Sequence, residues 1–150
     1  MTLKRVIRYL SPVSNDDSSD PQVVVEHVSR SPAPELGHWN VTWKIQNLGQ
    51  KQLEILACRL PHGRFLGQER KLSPGIKLAP GRSARLEFQV ECCEKPGAVV
   101  ENAFLVLRVR WLGEAWRIFA RLRVTIDSEG APEVVTELVT AQPIEFSDKK

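Results

Sequence analysis

The hairpin between Ala103 and Ile126 constrains the fold more than any other segment of this chain. Both of its arms have the period-two residue pattern of a strand, and both are rich in the β-branched and aromatic residues that favour strands. Gly113-Glu114 predicts a two-residue type II′ turn, which has glycine at its first central position. A four-residue loop over residues 112–115 would give the same pairing. On this register Trp111 faces Trp116, and one face of the hairpin is wholly apolar.

The opposite face of the predicted hairpin combines arginine with aromatic side chains. Its register pairs Arg110 with Arg117, and like charges placed directly across two strands destabilise a sheet. We call the following seven residues the arginine–aromatic face: Phe104, Arg108, Arg110, Arg117, Phe119, Arg121 and Arg123. Arginine beside aromatic rings is typical of protein interfaces and of surfaces that stack bases and bind phosphate. These residues are therefore candidate partner contacts.

Three interpretations of the arginine–aromatic face stay open. Glu87, Glu91 or Glu101 on neighbouring strands could neutralise the arginines internally, with the arginine stems covering the rings. Alternatively, the face binds another protein, which is the leading hypothesis. A nucleic-acid accessory protein is the alternative function, and it is less favoured because the rest of the chain is not basic.

The rest of the chain predicts further strands separated by glycine and proline turns. From Trp39 to Gln46, apolar and polar residues alternate, which predicts a strand with one buried face. No segment has sustained helical periodicity. Short strands at close intervals predict an antiparallel sandwich or a sheet closed on itself. We favour an all-β, immunoglobulin-like sandwich of about seven to nine strands, with the four tryptophans filling the space between its sheets.

Composition divides the chain into three parts. We predict a strand-like arm (Arg5–Leu10) and a polar tether (Ser11–Asp20) in residues 1–20, the sandwich domain in residues 21–142, and a polar tail in residues 143–150. The arm could pair with the sheet edge of a neighbouring copy and make a homo-oligomer, since exposed edges recruit strands. It could equally complete its own sheet.

Two strings in the middle third of the chain carry a resemblance to a known family. They are Trp43-x-Ile45-x-Asn47-x-Gly49 and, about thirty residues later, Leu78-x-Pro80-Gly81-x-Ser83-x-x-Leu86. The pair resembles the N-x-G … L-x-P-G-x-S pattern of bacterial immunoglobulin-like modules of the CARDB type. The resemblance implies a sandwich of seven to nine strands with a non-catalytic adhesion or assembly role, and it implies no catalytic residue. The chain departs from such modules, which are usually exported repeats, in its single copy and its arginine-rich hairpin.

The sequence contains no motif for catalysis. It lacks a glycine-rich phosphate loop before a helix, a serine in a nucleophile elbow and a histidine pair on one helical face. His27 and His38 fall in or beside strands, where both have simple structural explanations. We therefore predict a non-enzymatic protein without a cofactor.

The cysteines do not make a convincing metal site either. Cys58-x-x-x-His62 and Cys92-Cys93 could supply ligands, but structural zinc sites prefer two tight ligand pairs, and adjacent cysteines rarely bind one ion. An odd number of cysteines without an export signal predicts reduced thiols. We predict no metal.

The loop from Leu60 to Phe65 provides a second candidate contact region. Loops at the ends of a sandwich commonly carry recognition, so His62 and Arg64 are candidate partner contacts. The alternative is an ordinary turn with Phe65 in the core.

Charged residues interrupt the N-terminal segment, and no apolar run approaches the ~20 residues that span a bilayer. We therefore predict a cytoplasmic protein with no membrane partner.

Overall fold

The computed structural model describes residues 20–144, and within that range it is all-β with eight antiparallel strands and no helix. The strands are β1 (Val23–Pro32), β2 (His38–Asn47), β3 (Leu53–His62), β4 (Phe65–Leu78), β5 (Ser83–Glu91), β6 (Val99–Trp111), β7 (Glu114–Ile126) and β8 (Pro132–Pro143). The predicted all-β class is confirmed. The arm Arg5–Leu10, all of the tether except Asp20 and residues 145–150 of the tail lie outside the described residues.

The strands form one sheet in the order β1-β2-β5-β4-β3-β6-β7-β8. The junction between β4 and β5 is narrow, because these strands share only the pair Leu66–Glu91. In contrast, β2 pairs with β5 from His38 to Gln46, which is all of β2 except its last residue. The first and last strands, β1 and β8, also contact each other, so the sheet is nearly closed on itself.

Charged side chains bridge the contact between β1 and β8. The Arg30 guanidinium donates to Asp127 at 2.9 Å and lies 3.7 Å from the Glu133 carboxylate. Asp127 also accepts the backbone N–H groups of Glu129 and Ala131, both at 2.9 Å, in the turn before β8. The Ala131 N–H and the Arg30 guanidinium together hold the pKa of Asp127 below its usual range. This turn therefore fixes the start of β8 beside β1.

The core is built by alternate residues of the strands. Side chains at every second position point to the inner face of the sheet, because successive side chains of a strand point to opposite faces. The largest fully buried side chains are Val41, Trp43, Ile45, Leu53, Ile55, Leu60, Phe65, Leu105, Leu107, Ile118, Leu122 and Ile126. Trp111 and Trp116 are buried as well, whereas Trp39 is only partly buried at the margin of the core. Three of the four tryptophans thus have the filling role that their pattern predicts.

The hairpin is present, but its predicted turn is wrong by one residue and its predicted register by two. Leu112 and Gly113 are the central turn residues, with φ of 53° and 77°, and Trp111 faces Glu114 instead of Trp116. Positive φ at both central positions defines a type I′ turn, whose twist matches that of the flanking strands. A shift of two residues leaves each side chain on its predicted face. It does change the cross-strand neighbours, so that Arg108, not Arg110, faces Arg117.

Asn47 is the one buried polar side chain among the described residues, and it joins three turns. Its Nδ2 donates to the carbonyls of Lys51 and Leu78 at 2.8 and 2.9 Å, and its Oδ1 accepts the Gly49 N–H at 2.8 Å. Gly49 packs against the core, because a Cβ there would lie 2.5 Å from Cη2 of Trp111. Both residues of the Asn47-x-Gly49 string therefore have structural roles.

Replacing Asn47 with aspartate tests this junction. In the Asn47→Asp variant a carboxylate oxygen faces two carbonyls in a buried site, so we expect the free energy of unfolding to fall by at least about 2 kcal/mol. Chemical denaturation measures it. Gln46→Glu is the matched control on the exposed side of β2, with an expected loss below about 1 kcal/mol. Equal losses in the two variants would contradict the junction role of Asn47.

The type I′ turn gives a second prediction, because leucine is a poor residue for positive φ. Leu112→Asn should raise the free energy of unfolding by about 0.5–1 kcal/mol, since asparagine before glycine is the preferred type I′ pair. Gly113→Ala should lower it by about 1 kcal/mol or more, because alanine at positive φ is strained. Thermal and chemical denaturation measure both changes. A Leu112→Asn variant less stable than the parent would be inconsistent with this turn type.

Candidate partner-binding site

The arginine–aromatic face lies on the outer side of β6 and β7. Its residues alternate along both strands with buried side chains such as Leu105, Leu107, Ile118 and Leu122. In the observed register Arg108 faces Arg117 and Phe104 faces Arg121. The structure therefore brings all seven predicted residues to one side of the sheet, although with different cross-strand neighbours from those predicted.

The middle of this face is apolar. The Phe104 and Phe119 rings meet edge to face, with centroids 6.3 Å apart and planes at 89°. Val106 faces Phe119 across the strands and is only 5% exposed. On the next strand, Leu138 faces Arg121 and is 42% exposed. The rings and aliphatic side chains thus form an apolar strip between guanidinium groups.

Three of the arginines carry carboxylate partners from neighbouring strands. Arg110 pairs with Glu54 of β3 at 2.8 Å. Arg123 pairs with Glu101 of β6 at 2.7 Å, and the carboxylate of Glu137 in β8 lies 3.5 Å from Arg121. Such exposed pairs contribute about 0–1 kcal/mol each, so they neutralise charge more than they stabilise the fold.

The internal counter-ions are only partly those that the sequence indicates. Of the three glutamates proposed, Glu101 pairs with an arginine of the face, whereas Glu87 and Glu91 lie on β5, which does not adjoin β6 or β7. Glu54 and Glu137 take their place. These two were missed because strand order, which the sequence does not give, decides which strands flank the hairpin.

Two arginines on this side, Arg59 and Arg108, have no carboxylate partner among residues 20–144. Their side chains form no hydrogen bond or ion pair within that range. Arg59 of β3 faces Val106, two residues from Arg108, so the two guanidinium groups flank the same valine. Arg59 lies beside Arg108 because β3 pairs with β6. The residues around Arg59 in the sequence do not predict this.

His62 and Arg64 form the turn between β3 and β4. The Arg64 guanidinium donates to Glu94 at 2.7 Å, a bond that raises the pKa of Arg64 and lowers that of Glu94. The Arg64 N–H donates to Nδ1 of His62 at 3.0 Å, and Phe65 is fully buried. These two residues share no hydrogen bond or ion pair with the described residues of the arginine–aromatic face. The turn has the geometry of the simpler alternative, with Phe65 in the core.

The cysteines are separate free thiols. Burial raises the pKa of Cys58 to about 12, and its Sγ lies 3.8 Å from the Arg70 carbonyl. Burial also raises the pKa of Cys92, whereas Cys93 is exposed. Across residues 20–144, no group of three or more His, Cys, Asp and Glu side chains is placed to hold a metal ion. Because a thiol must lose its proton to bind zinc, burial makes Cys58 a poor ligand.

His27 packs in the wall of the sheet. Its ring meets that of Trp43 edge to face at 5.6 Å, and burial lowers its pKa. His38 begins β2, where its Nδ1 lies 3.3 Å from the Leu36 carbonyl. Both positions agree with the structural explanations that the sequence suggests.

A shallow depression of about 290 Å³ lies beside Arg110, at the tip of the hairpin. It is lined by Lys51, Gln52, Glu54, Arg110, Leu112 and Gly113. Its charged groups are the Arg110–Glu54 ion pair and Lys51, which is exposed. The depression extends the arginine–aromatic face towards the turn.

The sequence matches no model of a known protein family, and no curated protein matches it. In the described part of the chain, no helix is long and apolar enough to cross a membrane.

The reactivities of the Cys58 and Cys93 thiols test whether Cys58 is buried and Cys93 is exposed. At pH 8 a maleimide should label Cys93 of the folded protein at least about a hundred times faster than Cys58, because a thiol with a raised pKa stays protonated and unreactive. Peptide mass mapping of timed samples measures the rates. Unfolding in denaturant should make them similar, and fast labelling of Cys58 in the folded protein would contradict its burial.

Proposed function

We propose that the protein is a non-enzymatic binding or assembly subunit that holds another protein on its arginine–aromatic face. The observation that carries the proposal is the apolar strip of Phe104, Phe119 and Leu138 beside Arg108, which has no carboxylate partner among the described residues. Apolar groups that are contiguous and rimmed by charged residues mark interaction sites, whereas apolar residues scattered singly over a surface do not. Aromatic residues and arginine together are the types that dominate binding energy at protein interfaces.

We further propose that the fold is an immunoglobulin-like sandwich similar to the CARDB-type modules. The narrow β4–β5 junction supports two layers, β1-β2-β5 and β4-β3-β6-β7-β8. The strand β2 neighbours β5 and β3 neighbours β6, which are the long crossings of a Greek-key arrangement. The structural roles of Asn47 and Gly49 also support the resemblance, since turn residues of this kind define it.

A nucleic-acid accessory protein is the alternative function for the same face. The rings beside arginines favour it, because such groups can stack bases and contact phosphates. The carboxylates of Glu54, Glu101 and Glu137 disfavour it, since they stand among the arginines and repel a continuous phosphate backbone. We therefore favour a protein partner.

The proposal is tested with the full chain, tagged and cross-linked in its own cells. Arg108→Glu with Leu138→Ser changes two exposed residues of the face, and Arg85→Glu with Leu48→Ser is the matched control elsewhere on the surface. A protein captured by the parent and the control should be depleted at least about tenfold with the face variant. The melting temperatures of the two variants should agree within about 4 °C, because both sites are exposed. Equal capture by the face variant would overturn the proposal.

A further inference from the structure

We propose that the arginine–aromatic face recognises an acidic segment of its partner protein, and that Arg59 and Arg108 bind the carboxylates of that segment. This inference rests on the proposed function and names the chemistry of the partner. It adds Arg59 to the contact residues, because that arginine lies on the same outer side as Arg108 and flanks Val106 with it.

The distribution of counter-ions around the face is the first argument. The neighbouring strands supply a carboxylate to each of Arg110, Arg121 and Arg123. They supply none to Arg59 or Arg108 within residues 20–144, although Arg108 and Arg110 are only two residues apart on one strand. The charge left for a ligand is therefore concentrated at one place on the face, where two cations flank a valine.

The spacing of the two arginines is the second argument. Arg59 faces Val106, and Arg108 faces Ala57, so Arg59 and Arg108 are diagonal neighbours with Cα atoms about 7–8 Å apart. Alternate residues of an extended chain lie about 6.6–6.8 Å apart. Two glutamates in alternate positions of an extended segment can thus reach one guanidinium each. Arginine also has the planar geometry that binds a carboxylate through two parallel hydrogen bonds.

The apolar strip next to these arginines indicates what else the segment carries. Phe119 faces Val106 on the side away from Arg59, and Thr140 of β8 faces Phe119 in turn. Leu138, 42% exposed, lies in the same part of the face. A segment that brings its carboxylates to Arg59 and Arg108 can therefore place an apolar side chain over Phe119 and Leu138. Charge and apolar surface together match an acidic peptide that contains aliphatic residues.

The carboxylates on the face separate this ligand from a nucleic acid. A peptide can place its few charges at Arg59 and Arg108 and neutral residues opposite Glu54 and Glu137. A nucleic acid carries a phosphate on every nucleotide, so its backbone would meet those glutamates as well. The observations favour the peptide.

The test uses fluorescence anisotropy with the full chain and two labelled peptides, one with glutamate and leucine in alternate positions and one with glutamine for glutamate. The glutamate peptide should bind at least about tenfold more tightly. Arg59→Gln with Arg108→Gln should weaken its binding at least about tenfold. Arg82→Gln with Arg85→Gln, which removes two exposed arginines elsewhere, should change it less than about twofold.

A gain-of-function variant makes the test sharper. Glu54→Gln removes the carboxylate that pairs with Arg110, so it frees a third guanidinium beside Arg108. We expect it to tighten binding of the glutamate peptide about twofold to fivefold. Glu87→Gln is the control, because it changes the net charge equally at an exposed position of β5. Its effect should stay below about 1.5-fold at physiological salt.

The outcomes separate the inference from the proposed function. Equal binding of the two peptides, or unchanged affinity of the Arg59→Gln, Arg108→Gln variant, would overturn the acidic-segment assignment. Labelled oligothymidine that binds more tightly than the glutamate peptide would also overturn it, in favour of nucleic acid. If the peptide fails while the face variant still loses its cellular partner, binding at the face stands and only the acidic chemistry of the partner is wrong.

Discussion

The alternation of inward and outward side chains along β6 and β7 is the constraint on which the rest of the structure depends. Leu105, Leu107, Ile118 and Leu122 point inward and are fully buried, so the hairpin cannot slip by one residue without exposing them all. The same alternation sends arginines and phenylalanines outward. The burial that stabilises the fold therefore also brings the residues of the arginine–aromatic face together. A one-residue shift of either strand would move its buried and its outward side chains to the opposite faces at the same time.

This constraint explains why the sequence predicts the faces of the hairpin but not its register. A pairing shifted by two residues keeps every side chain on its face, so periodicity cannot distinguish the two registers. The turn distinguishes them, and here it has a leucine at positive φ, which turn preferences disfavour. The residue pattern around Gly113 is consistent with a turn at Gly113-Glu114 and with one at Leu112-Gly113. The alternation of residues along a strand decides on which face of the sheet each side chain lies. The pairing of the strands in the whole sheet decides which residue it faces.

The same division applies to the candidate site. Phe104, Phe119 and the arginines of the hairpin could be assigned to one surface because they lie on two arms joined by a short turn. Arg59 and Glu54 could not, because the pairing of β3 with β6 joins residues that lie some fifty positions apart in sequence. The β3–β4 turn shows the opposite case, since His62 and Arg64 have a recognition-like composition but bond to Glu94 and to each other. Composition therefore identifies a surface more reliably when strand pairing gathers its residues.

The pairing of Arg108 with Arg117 bears on why this surface has its composition. Like charges on facing residues destabilise a sheet, and a glutamate at position 108 would relieve that repulsion. The chain supplies carboxylates to Arg110, Arg121 and Arg123 from three different strands, so acidic residues are available on every side of the face. Within residues 20–144 no acidic side chain pairs with Arg59 or Arg108, which leaves positive charge next to the half-buried rings and the exposed Leu138. Folding alone does not require this arrangement. A bound acidic segment would neutralise the charge and cover the apolar strip at the same time, which accounts for both features with one interaction.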